Sequence, residues 1–395
     1  MSLQQITAND ILSLPANTVS NTQFTAGAVE NYMTSTGVPF SYRNIIHNGE
    51  MLIDQHFNGA NTVMTSSMAV DRWGGNCYSG TTANTLYSQQ VVDAPTGFYN
   101  SLKITCTSGV ATSSNANGRR NLSQYIEGVF SNHLNWGTTY ARPITMSFWA
   151  KSSLTGAHAV SLQSNNQAYS YATTYTISTA NTWQYFVLNI PAPPSASSGN
   201  WTANNIANIL TFWDLGQGSS ITASSSGQLN SWQAADLRGY ANAVHIADTT
   251  GATWQITGVQ MEPGTTATPF EHRPYSLEFA ICQRYFEQSY DYGVLPGTAT
   301  TAGQIGSSGI QGGNTTGEID AGFNFKVTKR ASPSLNYWDT AGNSGKCNRT
   351  QMGVSQTNNQ SVATNYSGTN NVVVYSGSGV SAGQIYFHYT ASAEI

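Results

Sequence analysis

The chain has 395 residues, of which only 9% are charged, whereas roughly a quarter are charged in ordinary soluble domains. A formal net charge of -4, without a clustered run of Lys and Arg, argues against a nucleic-acid-binding protein. The 21 Tyr, 14 Phe and 9 Trp residues argue against disorder, and abundant Ser, Thr, Asn and Gly suit strands and turns. We therefore predict a folded, all-β protein with neither a signal peptide nor a membrane-spanning segment.

Residues 1–42 differ in character from the rest of the chain. Thr7 and Asp10 resemble a capping box ahead of a short apolar run that ends at Pro15, which predicts one or two helical turns. The polar remainder of this stretch has too few apolar residues to bury a core alone. We predict that residues 1–42 form a docking and oligomerisation segment that is ordered by packing on a partner. A mobile terminus is the alternative.

Residues 43–275 show short alternating apolar runs separated by Gly, Pro, Asn and Ser. This pattern predicts an antiparallel jelly-roll sandwich. A phase slip beside Gly258 predicts a β-bulge within one strand. The predicted inward stripes are Leu102, Ile104 and Cys106; Ile144, Met146 and Phe148; and Phe186, Leu188 and Ile190.

The apolar period changes in residues 276–293, which we predict to be a linking helix. Leu277, Ile281 and Tyr285 recur at helical spacing, with Ser276 as the expected N-cap and Glu278 in the first turn. Strands resume in residues 294–395, which predict a smaller C-terminal β domain. Its expected stripes are Phe323, Phe325 and Val327; Val372 to Tyr375; and Ile385, Phe387 and Tyr389.

Metal and cofactor chemistry is not indicated. The four cysteines lack C-x-x-C spacing and are expected to be small buried hydrophobic residues. The histidines never pair at i and i+4, so no helical metal pair is expected. Asp71 or Asp248 could contribute to a structural calcium site, but no spacing fixes one. We predict no cofactor and no metal.

The aromatic residues suggest a binding function, because sugar rings present C–H faces that stack on Trp and Tyr. Candidate glycan contacts are those in or beside polar loop-like stretches: Tyr169, Tyr171, Tyr175 and Trp201. Packing of these rings between sheets or between subunits is the alternative. Trp149, Trp183 and Trp254 lie in predicted strands and are interpreted as structural.

Several segments between residues 43 and 286 resemble, in order, those of a family of phage tail-fibre and virion structural proteins. The ending SAEI (392–395) also resembles that of the family. The segments are RNIIHNGEMLIDQ (43–55), VDRW (70–73), SFWAKSS (147–153), TWQ (182–184), GNW (199–201), TGVQMEPG (257–264), ATPFEHRP (267–274) and CQRYF (282–286).

The resemblance implies a carbohydrate-binding-module-like jelly roll in a phage particle, commonly as a homotrimer. We predict a virion tail fibre that takes part in host-surface glycan recognition and that contacts other virion proteins through residues 1–42. A capsid-attached head fibre or decoration protein is the first alternative.

A glycan-degrading tailspike is the second alternative, and it would need two carboxylates placed across a glycosidic bond. The acids in the chain are scattered. Asp71, Glu127, Glu262 and Glu271 are interpreted as structural hydrogen-bond acceptors. We therefore expect no enzymatic activity.

Overall fold

The computed structural model describes residues 42–64, 67–78, 86–111, 115–195, 201–309, 319–351, 354–376 and 383–395. The predicted docking segment, including the short helix expected after Thr7, lies outside the described residues apart from Tyr42. Residues Asn44–Ile395 form one compact unit.

The N-terminal part of this unit is built from antiparallel strands. They are β1 (Thr62–Val63), β2 (Ser67–Val70), β3 (Trp73–Tyr78), β4 (Leu86–Val91), β5 (Ser101–Cys106), β6 (Arg119–Glu127), β7 (Ile144–Ser152), β8 (Gly156–Ser164), β9 (Ser170–Ile177), β10 (Gln184–Ile190), β11 (Ala207–Asp214), β12 (Trp232–Gln233) and β13 (Thr253–Pro263). A one-turn helix, α1 (Gly128–Ser131), follows β6.

Two sheets formed by these strands pack face to face as a jelly-roll sandwich. Sheet I has the order β1-β4-β5-β13-β7-β10, and sheet II has the order β12-β9-β8-β11-β6-β3-β2. Successive side chains of a strand point to opposite faces, so each strand contributes every second residue to the core between the sheets. This arrangement confirms the predicted all-β fold class.

The predicted inward stripes lie in that core. Leu102, Ile104 and Cys106 of β5 are fully buried, as are the three predicted residues of β7. The expected β-bulge is also present: the pairing of β13 with β7 shifts between Thr257 and Gln260. Gly258 at this shift has a φ of 61°, a left-handed conformation that favours glycine.

The linking helix is present as α2 (Tyr275–Gln283), but three predicted details are wrong. The helix ends at Gln283 and not at residue 293, so Tyr285 lies beyond it and Phe286–Gln288 form a strand. The helix begins directly after Pro274, whose carbonyl accepts the first helical hydrogen bonds, so Ser276 is not the N-cap. The helix buries Glu278 and Cys282, whereas Leu277 and Ile281 are only half-buried. The buried face is therefore rotated by one residue, because Glu278 is held by polar partners in the sandwich.

The remaining strands form the C-terminal sheets. They are β14 (Phe286–Gln288), β15 (Ile305–Gly309), β16 (Ile319–Asn324), β17 (Ser334–Trp338), β18 (Lys346–Gln351), β19 (Val354–Ser361), β20 (Ala363–Ser367), β21 (Asn371–Ser376) and β22 (Gly383–Ser392). Strand β22 pairs with β14, β15, β17 and β18, and β16, β21 and β20 form a three-stranded sheet.

The core of these sheets contains most of the predicted stripes. Ile385, Phe387 and Tyr389 are buried along β22 as predicted. The stripe expected around Phe325 is only partly correct. Strand β16 ends at Asn324, and Val327 lies beyond it and is only half-buried.

The described residues also bear on cysteine chemistry, membranes and metals. All four cysteines are buried and free of disulfides, as their spacing predicts. Within the described ranges, no helix has the length and hydropathy that a membrane span requires. A search of the same residues finds no group of three or more His, Cys, Asp and Glu side chains placed to hold a metal ion.

Candidate functional site

Tyr171 and Tyr175, two of the four aromatic residues singled out in the sequence, lie inside the sandwich. Their exposed fractions are 3% and 5%. The ring of Tyr175 packs against Phe148 at a centroid distance of 5.0 Å, and its hydroxyl accepts a hydrogen bond from Trp254 Nε1 at 3.0 Å. These two residues therefore pack between the sheets, because they alternate inward on β9. They are not part of the candidate site.

Tyr169 and Trp201 lie nearer the surface. Tyr169 is half-buried in a turn, where its backbone N–H donates to Ser164 Oγ at 3.1 Å. Trp201 packs at the end of the core, 5.0 Å from Trp136 and 5.9 Å from Trp232 between ring centroids. Trp232 in turn contacts Tyr171. Trp201 and Tyr171 thus belong to one aromatic cluster that lies at the end of the core.

A different surface is concave and polar, and we call it the groove. It has a volume of about 200 Å³ and lies on the outer face of sheet II. It is lined by Met68, Arg72, Gly74, Gly75, Asn76, Arg119, Asn121, Ser123, Tyr125, Phe212, Arg238 and Ile395.

The floor of the groove is formed by side chains that point outward from neighbouring strands of sheet II. On β6, Leu122 and Ile126 face the core, so Asn121, Ser123 and Tyr125 face outward. The pairing of β3 with β6 sets Asn76 opposite Asn121. Amide and hydroxyl groups from different strands are thereby brought side by side.

Arginines form the walls of the groove. The Arg72 guanidinium lies over the Tyr285 ring at 3.4 Å and forms an ion pair with Glu394. Arg238 stacks over Phe212 at 5.1 Å and donates from Nε to Asp236 Oδ1 at 2.8 Å.

Arg119 is exposed at the groove rim. The walls are therefore rigid where an arginine is paired and stacked, as with Arg72 and Arg238, and the rim carries a positive charge.

The Asn76 side chain is a polar group that the fold leaves unmatched. Its Oδ1 atom is buried and has no hydrogen-bond partner among the described residues. An unsatisfied buried acceptor typically costs about 1–3 kcal/mol, so such groups are uncommon unless a water or ligand completes them. The Asn76 side chain therefore leaves hydrogen-bonding capacity unused beside the groove. Fold and groove together define a jelly-roll protein with a concave polar surface on one sheet.

The acids inside the family-like segments have structural partners, as the sequence analysis expected. Asp71 accepts hydrogen bonds from Gln55, and burial raises the pKa of Asp71 well above its usual range. Glu262 accepts from Thr268 and Gln260, and Glu271 accepts from the backbone of Asn44.

Glu127 belongs to a larger contact, which we call the junction. The junction is the place where α2 and β14 meet the sandwich. Both oxygens of Glu127 accept from Arg284, at 3.0 and 2.9 Å, and Oε1 also accepts from the Tyr285 hydroxyl. Glu278 forms an ion pair with Arg273 at 3.0 Å. The junction is therefore a set of buried carboxylates that are matched by cations and donors.

The two residues considered for calcium have other contacts. Asp71 is engaged with Gln55, as described above. Asp248 lies 3.7 Å from His245 and 3.9 Å from Arg120. Arg120 and His245 lie beside this carboxylate, and His245 also lies 3.7 Å from Asp214, so Asp248 acts as a charge partner within the fold.

Of the three tryptophans that are predicted to lie in strands, Trp149 (β7) and Trp254 (β13) do so, whereas Trp183 directly precedes β10. Trp254 is buried in the core with 1% exposure. Trp149 and Trp183 are instead half-buried on the outer face of sheet I. Strand alternation was the available signal, because Phe148 is inward and its neighbour Trp149 must then face outward.

No protein-family model and no curated protein matches the chain. Among solved structures, the enzymatically active domain of tailspike protein 4 from bacteriophage CBA120 is 15% identical with a TM-score of 0.29, covering 56% of this chain and 22% of that chain. A structure described as CBM4 is 15% identical with a TM-score of 0.28, covering 55% and 99%. The CBM22-1 xylan-binding domain from Paenibacillus barcinonensis is 8% identical with a TM-score of 0.26, covering 54% and 99%. The chain thus spans about a fifth of the tailspike chain and nearly all of the two modules.

Proposed function

We propose that the chain is a structural fibre subunit of a phage particle that binds a host-surface glycan in the groove. The observation that carries the binding proposal is the unmatched Asn76 amide in a concave surface lined by amides, a hydroxyl and aromatic rings. Saccharide sites combine such hydrogen-bonding groups with ring faces.

The groove supplies the two kinds of contact that a sugar ring uses. Asn76, Asn121 and Ser123 offer donors and acceptors for hydroxyl groups. Tyr125 offers ring surface beside them, and the buried Phe212 ring packs behind it at a centroid distance of 5.9 Å. These groups stand on the strands of a sheet, which keeps them in place before the ligand arrives and lowers the entropic cost of binding.

The assignment of the chain to a phage particle is supported by the segments that resemble phage fibre proteins and that occur in the same order along the chain. In this proposal residues 1–42 dock on other virion proteins, and three copies assemble about a common axis, since closed symmetry is usual for identical subunits. We propose that the fibre is attached to the tail of the phage.

We further propose that the groove binds without hydrolysis. Glycoside hydrolysis generally uses two carboxylates flanking the scissile bond. Among the described residues that line the groove, none is Asp or Glu. Glu394, next to the lining residue Ile395, is held in an ion pair with Arg72.

The binding proposal is tested with the full chain on an array of host-surface polysaccharides. Ser123→Tyr fills the groove floor, because Ser123 lies opposite Gly74, where no side chain occupies the space. Ser226→Tyr, at an exposed position outside the groove lining, is the matched control.

We expect wild type and the control to bind the same glycans equally well and Ser123→Tyr to bind them more weakly, because it lacks the groove contacts. Binding by Ser123→Tyr at wild-type strength would reject the groove. Release of oligosaccharides during incubation would reject binding without hydrolysis.

The particle assignment is tested by electron microscopy of phage labelled with an antibody against residues 290–395. Label at the tail tip is the expected result. Label distributed over the head would identify a capsid fibre or decoration protein, and unlabelled particles would reject a virion role.

A further inference from the structure

A group of aromatic side chains lies on the outer face of sheet I, on the opposite side of the sandwich from the groove. We call Trp149, Trp183 and Tyr185 the platform. Tyr185 on β10 is in register with Trp149 on β7, and their ring centroids are 5.3 Å apart with planes tilted by 45°. Trp183 directly precedes β10 on the same face.

The exposure of these rings is unusual for the solvent face of a sheet, which normally carries polar residues. Tyr185 is 45% exposed, and its neighbour Val187 is 43% exposed. Phe186 and Leu188, the alternate residues of the strand, pack against the core. Folding therefore uses the inward residues of β10 and leaves the outward aromatic ring available.

The platform is held in place by a small polar network. Trp183 Nε1 donates to Asp93 Oδ1 at 3.3 Å, and Gln255 Nε2 donates to Asp93 Oδ2 at 3.2 Å. Lys151 forms an ion pair with Asp93 and lies 5.1 Å from the centre of the Trp183 ring. The indole is thus fixed from its edge, and its orientation does not depend on a ligand.

The charge around the platform matches an uncharged ligand. Asp93 neutralises Lys151 beside the rings. Ser147 and Thr257, the next residues on this face of β7 and β13, are uncharged and buried, and Asn189 is exposed on β10. Exposed rings beside a neutral amide complement the apolar face and the hydroxyl rim of a sugar.

The size of the platform argues against a second copy of the chain as its occupant. Three partly exposed rings and Val187 offer on the order of 300 Å² of apolar surface. A stable protein interface needs about 800 Å² on each partner, with a core depleted of charge. The surface of a short saccharide is much closer to what the platform provides.

We propose that the platform is a second saccharide-binding surface, independent of the groove, that stacks neutral sugar rings on Trp149 and Tyr185. The chain then holds a glycan at two places on opposite faces of one sandwich. Two weak sites that engage the same polysaccharide raise the overall strength of attachment without additional contacts.

The test measures neutral gluco-, galacto- and manno-oligosaccharides by titration calorimetry with the full chain. The double variant Trp149→Ala/Tyr185→Ala is compared with wild type and with Ser123→Tyr, which blocks only the groove. Tyr185→Phe retains the ring, and Tyr99→Ala removes a tyrosine that is 70% exposed outside the platform.

We expect the double variant to bind about tenfold or more weakly, in line with loss of aromatic anchors. Ser123→Tyr, Tyr185→Phe and Tyr99→Ala should keep this binding. If Ser123→Tyr retains oligosaccharide binding and the double variant loses it, the result supports the platform even if the groove proposal fails. Loss only in Ser123→Tyr overturns the platform and leaves the groove standing.

Sedimentation velocity tests whether the platform is instead an interface between copies of the chain. A wild type that is oligomeric beside a monomeric double variant would make this face an interface between copies and overturn the inference. If the double variant does not fold, the indole N–H resonances of Trp149 and Trp183 in wild type decide the question. Shifts on addition of oligosaccharide support the platform, and unchanged resonances overturn it.

Discussion

The junction and the groove differ in whether their buried polar groups have partners within the protein. At the junction, buried Glu127 is matched by Arg284 and Tyr285, so its charge is compensated inside the protein. In the groove, Asn76 has an acceptor that no described residue completes, and Arg119 is exposed at the rim. Matched groups fix the shape of the molecule, and the groove retains hydrogen-bonding capacity that the fold does not use.

Two of the segments that carry the resemblance to phage fibre proteins, 267–274 and 282–286, lie at the junction. Arg273 pairs there with Glu278 of α2, and Arg284 and Tyr285 contact Glu127 of the sandwich. The segments 147–153 and 182–184 contain Trp149 and Trp183 of the platform. The groove floor comes largely from β6, which contributes none of the quoted segments. The resemblance therefore covers parts of the junction and of the platform but not the groove floor.

The largest expected effect comes from breaking the junction. Glu127→Ala removes a fully buried carboxylate and leaves Arg284 and the Tyr285 hydroxyl without their partner. We expect the free energy of unfolding to fall by about 3 kcal/mol, since removal of one member of a buried ion pair leaves the other uncompensated. Thermal and urea unfolding monitored by circular dichroism measure this change.

Glu50→Gln is the control for that variant. Glu50 pairs with His272 at 3.1 Å, and the His272 side chain is 53% exposed. Surface pairs contribute about 0–1 kcal/mol. A loss in Glu127→Ala no larger than in Glu50→Gln would show that the junction does not depend on its matched charge.

A second effect of matched charge is a dependence of stability on pH. His245 lies 3.7 Å from each of Asp214 and Asp248. Burial acts to lower the pKa of His245, but the two carboxylates outweigh it and raise the pKa from 6.5 to about 10. The folded protein thus retains a proton that the unfolded chain releases above pH 6.5. The stabilisation is complete below pH 6.5 and is lost as the pH rises through 10.

We expect this contribution to be about 2 kcal/mol, because both contacts are longer than hydrogen bonds. It is measured as the difference between wild type and His245→Asn in urea unfolding across that pH range. The subtraction also removes the opposite trend from Lys329, whose pKa burial lowers to about 8. A pH-independent difference would contradict the assignment of His245 as a charged partner.

The smallest effect on stability is expected in the groove. Asn76→Ala removes an acceptor that is unsatisfied in the fold, so the free energy of unfolding should not fall. Affinity for the glycan should fall by about 1–2 kcal/mol, or roughly tenfold.

Asn336→Ala, at an exposed amide on β17 outside the groove lining and the platform, is the matched control for that prediction. Equal affinities of Asn76→Ala and Asn336→Ala would remove Asn76 from the site. A large loss of stability in Asn76→Ala would mean that its side chain supports the fold.

The sequence predicted the fold well where alternation is regular. The stripes of β5, β7 and β22 lie in the cores as expected, and Gly258 marks the bulge. The helix was found, but its buried face was displaced by one residue. Apolar spacing favoured Leu277, whereas the fold buries Glu278 against Arg273, and that tertiary partner is not visible in a local pattern.

The site was less accessible to prediction for a related reason. Tyr171 and Tyr175 were weighed as sugar contacts but alternate inward on β9, and the phase of a strand is set by the whole sandwich. The groove joins β3, β6 and β11, which are distant in sequence and adjacent only in sheet II. Asn76 and Asn121 become neighbours through that pairing alone.

The separation of scaffold from binding surface is tested most directly by calorimetric titration of a glycan identified on the array. Wild type, Ser123→Tyr and Glu127→Gln are compared at a temperature where all three are folded. We predict that Glu127→Gln, although less stable, binds like wild type, and that Ser123→Tyr loses groove binding while its stability is nearly unchanged. Undiminished affinity in Ser123→Tyr, together with a loss in Glu127→Gln, would contradict the account and move the site to the junction.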